Sequence, residues 1–481
     1  MFKKGDIETI EIVDQSARGQ GIGRADGLAV FVADTVVGDV VEVEITKMKK
    51  SYAFARRIRL VSPSDLRIDA VCPYAGQCGG CSLATTSYPG QLAIKERQVY
   101  DKLERIGGLS SPKVRPIEAL TDDPAGPAAY RNKAVLSIST GGNRKVKGGI
   151  IENLGPVRVG FMRSGSHQVV DCDYCMLQTP AVMAAARAMR SFMNEDNITA
   201  WDPKWRQGLM HSMTVRTAFG TGEVMVILTI NGRGIPNGEK LVGMLADAID
   251  EAGAQLTSVV LECLRGDDRA SAEFITLAGR RVIRDRLGGL DLEVFPGSFY
   301  QVDPAMTVKM YDKMKEYAAL TGSEKVLDLY CGAGSIGLWC AGEAAFVLGI
   351  ESQHQAILDA NRNAVINGIV NARYICGKAE DVLPDLLKDG AGEQDADLAE
   401  AAAEADVVIL DPPRAGCHPA LLDAVILAAP ERIVYMSCDP ATLARDIKTL
   451  CEAVYRFVEA TPFDNFPWTS SVETVALLSR T

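Results

Sequence analysis

The stretch from Lys325 to Glu351 restricts the fold of this chain more than any other. Lys325-Val-Leu-Asp-Leu-Tyr330 reads as a strand running into the turn Cys331-Gly-Ala-Gly-Ser-Ile-Gly337. A helix-like segment follows, then Ala345-Phe-Val-Leu-Gly-Ile350 reads as a second strand ending at Glu351. Strand, glycine-rich turn, helix and acid-terminated strand form a βαβ unit. Such a unit requires a parallel sheet and gathers its ligand at the carboxyl edge. The glycines let the backbone approach that ligand, and Glu351 is placed to accept hydrogen bonds from both ribose hydroxyls of an adenosine. The turn also matches G-x-G-x-x-G, so a nicotinamide dinucleotide competes for this reading. Asp328, just before the turn, would repel a pyrophosphate, whereas the ammonium of S-adenosylmethionine would welcome a carboxylate. S-adenosylmethionine is therefore the expected ligand. Val407-Val-Ile-Leu410 is a further strand, and it delivers Asp411-Pro-Pro-Arg414 to the same edge.

Arg432-Ile-Val-Tyr-Met436 is another strand, ending at Ser437-Cys438-Asp439-Pro440 before a helix-like run. A cysteine between a strand end and a helix start faces the positive end of the helix. That position is expected to lower the thiol pKa and favour the nucleophilic thiolate. One more buried cysteine is the bland alternative, and the adjacent cofactor cleft weighs against it.

With 481 residues, the chain is too long for one ordinary domain. Residues 1–62 read as short strands separated by glycine turns, a small β-barrel. It ends in a basic run (Lys47, Lys49, Lys50, Arg56, Arg57, Arg59) with Tyr52 and Phe54 interleaved. In a chain of net charge −11, such a run points to a phosphate-facing surface, the alternative being a solvated strand face. At 6% aromatic residues the chain is not an obvious stacking platform. Residues 63–290 follow as a mixed α+β region in which Gln91 to Ile106 reads as an amphipathic helix packed on the catalytic domain; residues 291–481 hold the cofactor unit. The segment Asp389 to Asp406 reads as a solvated insertion or surface helix. The N-terminus has no apolar signal core and no run approaches the roughly 18–20 apolar residues of a membrane span. A soluble, cytoplasmic protein with no membrane association is expected, and no obligate protein partner is called for.

Of the twelve cysteines, Cys72, Cys78 and Cys81 stand apart as C-x5-C-x2-C in a Gly- and Pro-bearing loop. Three thiolates so spaced can share one centre, zinc or an iron–sulfur cluster, with Cys172 or Cys175 as the fourth ligand. Idle buried thiols are the alternative.

Four segments occur in order: Asp328-Leu-Tyr-Cys-Gly-Ala-Gly, Asp411-Pro-Pro-Arg-Ala-Gly, Ser437-Cys-Asp-Pro-Ala-Thr-Leu-Ala-Arg-Asp and Asp464-Asn-Phe-Pro-Trp-Thr-Ser-Ser-Val-Glu473. Together they resemble the RNA uracil-5-methyltransferase family over nearly the whole chain. The N-terminal barrel resembles its TRAM domain, an OB-like RNA-binding module. The cysteine loop resembles the iron–sulfur site of the 23S ribosomal RNA branch. The resemblance implies an α/β protein with a C-terminal Rossmann-like S-adenosylmethionine methyltransferase domain, an N-terminal barrel and a central domain carrying a [4Fe-4S] cluster. It implies Cys438 as nucleophile and Glu473 as base. Gln301, Tyr330, Ser335, Glu351 and Asp411 are the implied cofactor contacts. Cys72, Cys78, Cys81 and Cys175 are the implied cluster ligands, with Cys172 in reserve. Where the family often has His-Val-Glu, this chain has Ser471-Val472-Glu473.

The implied chemistry is thiolate addition to carbon 6 of a uracil, methylation at carbon 5, proton removal by Glu473 and elimination of the thiolate. Ribosomal RNA is the implied substrate, transfer RNA the alternative. An adenine amino-methyltransferase would place an aromatic where Arg414 stands and needs no cysteine. A radical enzyme would space its cysteines C-x3-C-x2-C. A purely RNA-binding protein would need neither Cys438 nor Glu473.

Overall fold

The computed structural model describes residues 3–141, 143–145, 151–388 and 396–481. Five strands, in the order Ile7–Gln15, Gly21–Ala25, Leu28–Val32, Tyr52–Ser62 and Val40–Met48, close into a barrel. Strict alternation sends Ile10, Ile12, Val30, Val32, Val41, Val43, Ile45 and Ala53 inward. The residues between them face out. Among these, Phe31, Tyr52 and Phe54 form a three-ring cluster with centroids 5.5–5.6 Å apart. These three rings form one outward patch that composition gave no hint of.

The helix read from Gln91 begins earlier and spans Tyr88–Arg105, because Pro89 occupies its first turn, where a missing N–H costs nothing. Its Val99 and Leu103 are buried in the core of the catalytic domain. The central region is a seven-stranded sheet ordered Val169–Asp171, Arg158–Met162, Lys133–Ser139, Met210–Thr217, Glu223–Asn231, Gln255–Arg265 and Asp268–Gly279. Helices Pro180–Glu195 and Gly238–Glu251 pack together over it. A hairpin, Ile283–Leu287 with Leu290–Val294, leads into the catalytic domain and crosses the division expected at residue 290.

The catalytic domain is a second seven-stranded sheet. Its order is Ala372–Cys376, Phe346–Glu351, Lys325–Leu329, Val407–Leu410, Arg432–Ser437, Glu473–Arg480 and Tyr455–Phe463. The first five strands pair in parallel and the last two antiparallel. The parallel strands read as near-continuous apolar runs because helices cover both faces. Residues 389–395 lie outside the described set. Of the two readings, solvated insertion or surface helix, a helix forms at Ala396–Ala403; it buries Ala401 and Ala402, and Ala405 just beyond it is buried as well. Its Ala–Glu composition marks an amphipathic helix laid on the sheet. No helix among the described residues is long and apolar enough to cross a membrane.

Candidate active site

The parallel strands Lys325–Leu329, Phe346–Glu351, Val407–Leu410 and Arg432–Ser437 end side by side, bringing Tyr330, Glu351, Asp411 and Cys438 to one edge. Tyr330 takes a positive φ of 65°, which turns the chain out of its strand and into the glycine loop. Its side chain lies against Cys417 and His418, so the residue offers the cleft its backbone. Gly334 has φ 78°, and a Cβ there would stand 2.7 Å from the Tyr374 hydroxyl, so the tight turn requires glycine. Ser335 opens the next helix and shares a 2.8 Å hydrogen bond with the Tyr311 hydroxyl. Glu351 accepts from the Gly332 and Gln353 amides at 3.3 and 2.8 Å, which aims its carboxylate at the loop. Gln301 is buried in the segment before helix Pro304–Ala318, where Asn132 of the central sheet donates to its carbonyl at 2.7 Å.

Two acids lie beneath this loop. Asp328 is fully buried; one oxygen accepts from the Gly337 amide at 2.9 Å, and the other has no partner among the described residues. Burial pushes its carboxyl up to about 7, and burial together with Asp328 pushes Asp411 up to about 8. Burial disfavours the charge on both carboxyls, and a cation beside them would offset that cost.

Strand Glu473–Arg480 runs antiparallel to Arg432–Ser437 with Thr474 opposite Ser437. Cys438 follows Ser437 and Glu473 precedes Thr474, and the two side chains are near enough for Glu473 to act on the Cys438 thiol. Cys438 is not the lowered thiol that its place before a helix suggested: its pKa is raised to about 11, by burial first and by Glu473 second. The start of the following helix is taken by Asp439. Its carboxylate caps helix Pro440–Ala453 by accepting from the Ala441 and Thr442 amides at 2.8 and 3.3 Å, satisfying the donors that the thiol was expected to face. Arg414 is the cation beside the thiol and acts in the opposite direction. Glu473 is 3% exposed, and its carboxyl is raised well above the usual range by burial and then by Asp411.

The segment before Glu473 is clamped from outside the sheet. Lys95, itself fully buried, ion-pairs with Asp464 and donates to the Phe466 carbonyl at 2.9 Å. Tyr88 donates to Asp464 at 2.8 Å. Trp468, held at φ 67°, donates its backbone N–H to Gln91 and its indole N–H to the Pro127 carbonyl, both at 2.9 Å. The Leu83 amide donates to the Trp468 carbonyl, the Ser470 amide to Ser82 Oγ, and the Ser470 hydroxyl to the Ala17 carbonyl of the barrel. Sequence reasoning missed this clamp; the only signal was the polar and aromatic content of residues 464–470.

Cys72, Cys78, Cys81, Cys172 and Cys175 all line one cavity of about 50 Å³. Both candidates for the fourth ligand are therefore present. Burial raises the Cys81 and Cys172 thiols to about 12 and about 11, with the neighbouring thiols adding to the effect. Among the described residues, no three His, Cys, Asp or Glu side chains are drawn together closely enough to hold a metal ion, which applies to zinc and to a cluster alike.

Residues 282–481 match the profile of the tRNA (Uracil-5-)-methyltransferases, and residues 2–58 match the TRAM domain. An uncharacterized RNA methyltransferase of Caldanaerobacter subterraneus is 39% identical over 99% of both chains. One from Halalkalibacterium halodurans is 36% identical over 99% of this chain and 97% of its own. The chain belongs to the RNA uracil-5-methyltransferase family. A solved family structure, the Pyrococcus abyssi tRNA (uracil-54, C5)-methyltransferase in complex with S-adenosyl-L-homocysteine, superposes with a TM-score of 0.73 at 28% identity. It covers 98% of this chain and 100% of its own. This RNA methyltransferase thus shares its arrangement of barrel, central region and catalytic domain with that relative.

Proposed function

We propose that this enzyme methylates carbon 5 of a uridine in RNA, with S-adenosylmethionine as donor, Cys438 as nucleophile and Glu473 as base. The observation that carries the reading is the pair Cys438 and Glu473, near enough to interact, at the edge where Tyr330, Glu351 and Asp411 end their strands. In this reading Glu351 takes the ribose, and Gln301, Ser335 and the backbone of Tyr330 line the cofactor cleft. Asp328 and Asp411, ionised once a cation enters, hold its positive charge.

Carbon 5 of uracil is a poor nucleophile. Once the thiol has lost its proton to solvent, Cys438 Sγ bonds to carbon 6 and the ring double bond shifts to give an enolate; its carbon 5 takes the methyl group as the bond from methyl to the donor's sulfonium breaks, leaving S-adenosylhomocysteine. Carbon 5 then carries both a proton and a methyl group. Glu473 takes the proton, its electron pair restores the ring double bond, and the carbon–sulfur bond breaks to release Cys438. The thiol of about 11 makes the first step the one that needs help, and Arg414 is the cation placed to give it. The base must leave its stack to reach this buried pair, which favours single-stranded or refolded RNA. The barrel, with its rings and cations, is the surface that would hold the flanking strand.

Ribosomal RNA is the proposed substrate class, in keeping with the resemblance of the cysteine loop. The gathering of five thiols at one cavity supports an iron–sulfur cluster as the group this loop would hold. Cys72, Cys78, Cys81 and Cys175 are the ligands assigned to it. Such a cluster would order the loop, and no step above needs an electron. The Pyrococcus relative favours a second reading, transfer RNA as substrate.

Tritium release from RNA labelled at carbon 5 of uridine tests the chemistry. Wild type should release tritium, Cys438→Ala should release none, and Glu473→Gln should stall as a covalent RNA adduct. Methyl transfer without tritium release would sink the carbon-5 reading. Parallel assays on 23S ribosomal RNA and transfer RNA transcripts separate the substrate classes.

A further inference from the structure

Glu473 is buried among groups that raise its pKa, yet a base must be ionised to accept a proton. Asp411 faces it from the end of strand Val407–Leu410, and Cys438 from the end of Arg432–Ser437. The Tyr311 hydroxyl faces it from helix Pro304–Ala318. Arg414 is the cation nearby, and it also serves the thiol.

One further side chain reaches the carboxyl. Phe463 pairs with Glu473 across the antiparallel strands, and Asn465 lies two residues further on. Asn465 is 0% exposed; neither its amide nitrogen nor its oxygen makes a fully formed hydrogen bond among the described residues, and the group within its reach is the Glu473 carboxyl. A buried amide left so is costly and uncommon, which points to a completed bond in the working state. Its backbone has little freedom to seek one elsewhere. Asp464 on one side is tied to Lys95 and Tyr88, and the Phe466 carbonyl on the other accepts from Lys95. The amide stands beside the Glu473 carboxyl and draws it toward the ionised form. An ionised carboxylate is acceptor-only, and the Asn465 Nδ2 is a donor with no competing claim.

We propose that Asn465 is a positioning residue for the base: its amide donates to the Glu473 carboxylate and holds it ready to take the carbon-5 proton. The inference rests on the reading of Glu473 as the base. It assigns a task to a residue whose neighbours in the same segment serve only to clamp the chain.

The test uses the full-length enzyme, S-adenosylmethionine and RNA labelled at carbon 5 of uridine. Asn465→Leu keeps the shape and removes the amide. Because it removes a buried amide whose hydrogen-bonding capacity is largely unmet, its melting temperature should stay close to that of wild type. Its tritium release at neutral pH should nevertheless fall about tenfold, the effect of one pH unit on an ionised fraction. The acid limb of its pH–rate profile should move to higher pH, and a covalent RNA–protein adduct should accumulate on denaturing gels. Asn465→Asp, which exchanges the donor for an acceptor, should fall at least as far. An unchanged acid limb without adduct in both variants overturns the proposal. So does a rise in KM for RNA with kcat preserved, which would make the amide a reader of the uracil. If wild type itself releases no tritium, the carbon-5 reading fails first and this inference with it.

Discussion

In the parallel half of the catalytic sheet, Glu351 and Asp328 are aimed from within the βαβ unit itself. Glu351 is oriented by the Gly332 and Gln353 amides, and Asp328 accepts from Gly337. At the antiparallel end the opposite holds. Glu473 is reached through a segment pinned by Lys95, Tyr88, Gln91 and Ser82, each more than 350 residues away in the chain. The cofactor half is therefore a local device that any βαβ unit can carry. The base end is built by the rest of the molecule, and it exists only when barrel, cysteine loop and helix Tyr88–Arg105 are docked.

Lys95→Met breaks this comparison hardest. Removing one partner of a buried ion pair leaves Asp464 uncompensated, at a cost of roughly 3–5 kcal/mol. Denaturant unfolding should show that loss, while S-adenosylmethionine affinity, measured calorimetrically on the protein that stays folded, should hardly change. Replacing both partners, as Lys95→Met with Asp464→Leu, should recover much of the stability. Equal damage to cofactor affinity and to the base end would mean that the two halves are one unit.

Phe54→Ala sharpens the comparison from outside both halves. Phe54 completes the outward ring cluster with Phe31 and Tyr52. A stacked base is worth roughly 1–3 kcal/mol per aromatic. RNA affinity by filter binding should fall by that amount, with S-adenosylmethionine affinity and melting temperature close to wild type. Unchanged RNA binding would reduce the cluster to packing.

The same contrast governs what was legible before the structure. The βαβ unit and the barrel were readable because their signals lie in short windows: apolar runs and glycines in one, alternation in the other. The start of helix Tyr88–Arg105 was missed by three residues because Tyr88, Pro89 and Gly90 do not read as helix; the buried contact of Tyr88 with Asp464 and Trp468 decides their state. The clamp on residues 464–470 was invisible because every partner is remote. The five cysteines form two groups nearly a hundred residues apart in the chain, and only folding brings both to one cavity. The state of the Cys438 thiol was misjudged for a related reason. A helix start is visible in sequence, but the capping by Asp439 and the opposing Glu473 are matters of geometry.

That thiol lies on the seam between the two halves, on the last parallel strand and opposite the first antiparallel one, and it supplies the finest test. Its pKa of about 11 has burial as the largest cause and Glu473 as the second, with Arg414 opposing both. Below that value the thiolate fraction rises about tenfold per pH unit. Alkylation of Cys438 by iodoacetamide, read by mass spectrometry of its peptide, should therefore climb steadily from pH 7 to 10. Glu473→Gln removes an acid that holds the proton on sulfur, so it should lower the pKa and speed alkylation a few-fold at fixed pH. Arg414→Met removes the opposing cation and should slow it by a similar factor. The two shifts have opposite signs and come from opposite sides of the seam. If neither variant moves the rate, burial alone sets the thiol. The antiparallel end would then contribute its base to the reaction but no control over the nucleophile it faces.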